Sequence, residues 1–125
     1  MKMTPEELAT RKEEFAALRR ERERIKEARP AAHRWLRDLF ARHDPLGWIA
    51  VGAPSDEYEE QADMLLPRLL QLHHSGEPSE LTVLRMVHEE FVKWFGAATA
   101  GPVERYGPAA TEIFEGLARE LPPAP

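Results

Sequence analysis

The sequence predicts an all-α fold, an irregular four- to five-helix bundle with a long ordered loop between its second and third helices. Three observations carry this. Apolar residues recur at helical spacing in four separate stretches. Clusters of proline and glycine punctuate the chain between them. The one extended-looking segment, Trp48 to Val51, is four residues without a second strand to pair with, so no sheet is expected.

Thr4, Pro5 and Glu7 read as an N-cap, a proline at the first helical position and a capping-box glutamate. The helix they open runs to about Ala28, because Pro30 disfavours helical geometry at Arg29. Its apolar positions, Leu8, Phe15, Leu18 and Ile25, form a narrow stripe interrupted by Arg11 and Arg22. Such a stripe has the width of a coiled-coil seam, not of a core face. A protruding helix, a partner for another helix and a homodimer contact all fit it.

Pro30 opens the second helix, with Ala32, Trp35, Leu36, Leu39 and Phe40 on one face and an end near His43. The loop from Asp44 to Tyr58 follows, marked by Pro45, Gly47, Gly52 and Pro54. Ser55 or Asp56 is the expected cap of the third helix, which carries Tyr58, Ala62, Leu65, Leu66, Leu69 and Leu72. Pro67 predicts a kink or break inside it. Gly76 and Ser79 then read as a C-terminal cap and the next N-cap. The fourth helix, about 80–95, is expected to bury Leu81, Leu84, Val87, His88, Phe91 and Phe95 and to end at Gly96. After a second loop, a last helix over about 108–120 presents Ala110, Ile113, Phe114, Leu117 and Leu121. The expected organisation is one domain: a charged helix over 1–29, a bundle over 30–121 and a tail over 122–125.

Composition narrows the class. A chain of 125 residues with 42% hydrophobic and 31% charged residues is long enough to bury a core. The absence of cysteine excludes disulfides and thiolate metal sites and suits a reducing, cytoplasmic setting. No apolar run is long enough to span a membrane. The net charge of −5 conceals a division: residues 1–43 hold a balance of +4 and residues 44–125 a balance of −9. Overall acidity disfavours a dedicated nucleic-acid binder. A basic helix face, Lys12, Arg19, Arg22, Lys26 and Arg29, keeps weak nucleic-acid association open, although interspersed glutamates favour a solvated helix.

No catalytic residue is assigned, and no cofactor is expected. The acidic run Asp56, Glu57, Glu59, Glu60 and Asp63 fits a helix start, where carboxylates complement the macrodipole. Its rival reading is half of a metal-dependent hydrolase site, with Glu57 and Glu60 at i, i+3 as in all-helical nucleotide pyrophosphohydrolases. Those enzymes need a second acidic pair ending in aspartate, and no aspartate follows Asp63. Glu112 and Glu115 would have to substitute for it. None of the five histidines, His33, His43, His73, His74 and His88, forms a zinc-helix pair. His88, on an apolar face, reads as a hydrogen-bonded core residue, and His73 and His74 as exposed turn residues. Trp35 and Trp94 belong to the core or its rim. Trp48 either plugs the bundle or anchors a partner.

The motif Asp44-Pro45-Leu46-Gly47, followed by Pro54, Asp56, Glu57 and Tyr58, resembles the signature of the YugE-like bacterial proteins, a domain of unknown function. Phe91 and Phe95-Gly96 fit the same pattern, and the resemblance covers roughly residues 31–100. It implies a helical fold and no established activity. Asp44, Trp48, Asp56, Glu57 and Tyr58 are therefore the candidate binding residues of the loop. The reading that follows is a small accessory protein working through protein contacts, in an immunity, antitoxin or complex-assembly role, with no metal and no membrane.

Overall fold

The computed structural model describes residues 4–123, apart from the side chains of Arg22, Ile25, Lys26 and Ala28. Five α-helices and one 3-10 turn account for the architecture, and no strand occurs among the described residues. The first helix, α1 (Pro5–Ala28), is capped as its sequence predicts. The amide of Glu7 donates to Thr4 Oγ1 at 3.1 Å, and the amide of Thr4 donates back to Glu7 Oε2 at 3.3 Å. This reciprocal pair satisfies donors that the first turn would otherwise leave orphaned.

The remaining helices are α2 (Pro30–His43), α3 (Glu59–His74), α4 (Glu80–Ala100) and α5 (Gly107–Glu120), with the 3-10 turn Val103–Tyr106 before the last. Each packs on the next, and α5 returns against α2, which closes a four-helix ring. α1 lies outside that ring, against α3 and α2. The core inside it is built from Leu36, Leu39 and Phe40 of α2, Leu65, Leu66 and Leu69 of α3, Val83, Val87 and Phe91 of α4, and Ile113 and Leu117 of α5. Tyr58 and Tyr106 join it from the connecting segments. A bundle of this kind buries one stripe of each helix, so helix rotation decides which side chains meet.

Several expectations change. α3 begins at Glu59, with Tyr58 in the N-cap position and no side-chain cap, so neither Ser55 nor Asp56 caps it. Pro67 does not break α3, which runs on to His74. The cost of Pro67 is local: it brings no N–H to the carbonyl of Asp63. Trp48 to Val51 form turns, not an extended segment.

The fourth helix is rotated from its expected face. Val83, Val87, Glu90 and Phe91 are buried, while Leu81 is exposed. Gly96 does interrupt it, at φ 83 and ψ 157, a conformation in which only glycine is unstrained. Residues 97–100 then resume helical geometry, so the expected second loop is mostly structured. His73 and His74 are half-buried, not exposed, and His74 Nε2 lies 3.2 Å from the carbonyl of Pro122. Glycine at position 116 has a separate reason: a Cβ there would sit 2.6 Å from Cζ2 of Trp35, so α2 and α5 approach closely at that point.

Candidate functional site

The loop over 44–58 is organised by one carboxylate. Asp44 leaves α2 in the left-handed region, at φ 44, a conformation aspartate tolerates better than most residues. Its side chain then turns into the loop. Oδ1 accepts from the amide of Ile49 at 3.1 Å and from the hydroxyl of Tyr58 at 2.5 Å. Oδ2 accepts from the amide of Ala50 at 2.9 Å. The Tyr58 oxygen in turn accepts from the amide of Leu46 at 3.3 Å. Burial pushes the Asp44 carboxyl up, but the Tyr58 hydroxyl and the amides of Ala50, Ile49 and Trp48 outweigh it and hold it below its ordinary value. Burial, reinforced by the Asp44 hydrogen bond, raises the Tyr58 phenol above its own.

Aromatic packing completes the tie. Trp48 stacks on Tyr58 and meets Phe95 edge-on, and Tyr58 contacts Phe91. Trp48 is thus a half-buried plug on the bundle. Of the five loop residues singled out from sequence, Asp44, Trp48 and Tyr58 are spent on holding the loop, while Asp56 and Glu57 line an open groove with Glu59, Glu60, Gln61, Trp94 and Phe95. Glu57 and Glu60 belong to no group of three converging metal ligands among the described residues. Glu112, one of the two glutamates needed to complete such a site, is bound to Arg42 and His43, and chiefly the Arg42 contact lowers its pKa.

The group that does converge is His33, Glu59 and Asp63. α2 brings His33 in from its first turn, and α3 supplies the two carboxylates one turn apart. His33 Nε2 lies 2.5 Å from Asp63 Oδ1 and 3.8 Å from Glu59 Oε1. Both Nε2 of His33 and Oδ1 of Asp63 are buried, ion-paired with each other, and make no hydrogen bond. Sequence reading missed this group. The available signal was weak: Glu59 and Asp63 at i, i+4, and a histidine sharing the apolar face with Ala32 and Leu36.

Next to it, a cavity of about 600 Å³ separates α1 from the ring. Phe15, Leu18 and Arg19 line one wall, and Asp63, Met64, Lys93 and Trp94 line the other. Of the basic face, Arg19 reaches this cavity, Lys12 is exposed and Arg29 is half-buried. Arg22 and Lys26 lie outside the described side chains.

Trp94 sits on the rim and donates from Nε1 to Glu90 Oε1 at 2.9 Å. His88 is half-buried, with Nε2 2.9 Å from the carbonyl of Gly101 and its ring against Tyr106. No described helix is long and apolar enough to cross a membrane. No protein-family model, no curated protein and no solved structure matches the chain.

Proposed function

We propose that the chain is a small binding or accessory protein that acts through protein contacts, with α1 as its docking helix. One observation carries this reading: Leu8, Phe15 and Leu18 stand 44%, 67% and 52% exposed on a helix that is otherwise charged. Their spacings of seven and three residues line them up along one side. Burying a side chain of this size is worth about 1.5–3 kcal/mol, so leaving three in water favours a partner that covers them.

The partner best fitted to this surface is an amphipathic helix that carries carboxylates opposite the arginines. Arg11 and Arg22 interrupt the stripe by sequence. A second copy of the chain, paired in parallel register, sets Arg11 against Arg11 and Arg22 against Arg22. Paired antiparallel about the middle of the stripe, it sets Arg11 against Arg22. Like charges at seam positions cost stability, so a different protein with acidic seam residues is favoured over a homodimer. An immunity, antitoxin or complex-assembly role, together with the resemblance of the 44–58 loop to YugE-like proteins, belongs to this proposal.

The test is site-specific photo-crosslinking from position 12, beside the stripe, in the full chain. A discrete adduct should form and be lost in Phe15→Glu/Leu18→Glu, with helicity unchanged by circular dichroism. An adduct that survives both charges, or none at all, overturns α1 as the docking surface. Light scattering should give a monomer mass; a dimer split by Phe15→Glu would instead make the partner a second copy.

A further inference from the structure

We propose that His33, Asp63 and Glu59 form a binding site for one divalent transition-metal ion, held between α2 and α3 and reached from the cavity under α1. Nothing in the docking reading requires this site, and the two stand or fall separately.

The His33 side chain is 5% exposed and that of Asp63 13%. Buried polar groups in folded proteins are nearly always hydrogen-bonded, and leaving one unsatisfied is costly. Here two such atoms, Nε2 of His33 and Oδ1 of Asp63, are ion-paired with each other at 2.5 Å and hydrogen-bond to no other group. A cation between them satisfies both at once.

One donor atom from each of the three residues lies within 4.8 Å of the others, so a single ion can touch all three. Metal–nitrogen and metal–oxygen bonds of about 2.0–2.2 Å at a tetrahedral angle place the two donors about 3.4 Å apart, so the His33–Asp63 pair opens by roughly 0.9 Å on binding.

The donor set also selects the ion. One imidazole nitrogen with two carboxylates suits zinc, manganese or ferrous iron, whereas magnesium and calcium prefer all-oxygen shells.

Asp63 lines the cavity of about 600 Å³ beneath Phe15 and Leu18, which gives the ion an entry path and leaves room for a water ligand. Three protein ligands with an open position distinguish such a centre from a closed structural zinc site.

The experiment is calorimetric titration of the metal-free full chain with Zn²⁺, beside Mg²⁺ as the oxygen-preferring control. One equivalent of Zn²⁺ should bind, with affinity falling about tenfold or more in Asp63→Asn and in His33→Gln, and unchanged in Glu57→Gln. Long-range ¹H–¹⁵N spectra of the wild-type imidazoles give a readout that survives a variant failing to fold. Added Zn²⁺ should shift the Nε2 resonance of His33 and spare His88. Absence of a bound equivalent, an unchanged affinity in a folded Asp63→Asn, or a shift confined to His73 and His74 overturns the site. So does Mg²⁺ binding as tightly as Zn²⁺, because it removes the role of the imidazole.

Discussion

The hydroxyl of Tyr58 donates a 2.5 Å hydrogen bond to the carboxylate of Asp44, fourteen residues earlier, and so closes the loop between α2 and α3. The bond joins the last residue before α3 to the first residue after α2. Because Tyr58 is fully buried against Phe91, the loop is fastened to the core as well as to itself. The entry of α3 is thus set from the side by this tie, and no capping hydroxyl or carboxylate is used there.

Replacing Tyr58 by phenylalanine should cost about 1.5–3 kcal/mol, the usual worth of a hydrogen bond to a charged group. Asp44→Asn should cost a comparable amount, since it removes the charge that strengthens every bond in the set. The two losses should not add, because both remove the same bond. Urea denaturation of the two single variants and the double variant checks this. Simple additivity would show that the tie is energetically idle.

Acid should unfold the protein partly through Asp44 and Glu112. Both have folded-state pKa values below their ordinary ones: hydrogen bonds from Tyr58 and the loop amides outweigh burial at Asp44, and the Arg42 contact dominates at Glu112. Their contribution is therefore present above the unfolded values, about 4, and is lost as pH falls through the lower folded values. The Tyr58 phenol is shifted the opposite way, so its contribution is complete below about pH 10 and declines above it. Urea midpoints measured downward from pH 7 should draw together for wild type and Asp44→Asn as the pH falls below about 4. A gap that does not narrow with acid would assign the loss to packing instead.

Glu90 is 2% exposed inside α4, where it accepts from Arg68 at 3.3 Å and from Trp94 at 2.9 Å. Arg68→Ala should cost about 1–3 kcal/mol, because it leaves a buried carboxylate with one neutral donor. Adding Glu90→Gln to that variant should recover part of the loss, since a neutral amide is cheaper to bury. Thermal melts of the two variants settle the order. If the double variant is the less stable one, the packing of Glu90 matters more than its charge.

Much of the helical architecture was legible residue by residue. Thr4 with Glu7, Pro30 and Ser79 mark helix starts through local hydrogen bonds and backbone limits that operate within one turn. Gly96 marks an interruption for the same reason. The misreadings have a common cause. Ser55 and Asp56 have capping chemistry, but the Asp44–Tyr58 tie fixes where the chain can enter α3. Pro67 has the chemistry of a helix breaker, but packing of Leu65, Leu66 and Leu69 holds the helix through it. Leu81 and Val83 are both good core residues, and only the rotation of α4 against α3 and α5 buries Val83.

By itself, the sequence determined that the chain is all-α, where most helices begin, and that α1 carries a narrow apolar stripe. Each follows from interactions between residues at most a few positions apart. Tertiary structure alone decided that His33 meets Asp63 thirty residues away, that Glu90 is buried, and that Asp44 is spent on Tyr58. Those meetings depend on how each helix is rotated about its own axis. That rotation is set by the summed packing of all four ring helices and is written in no single local pattern.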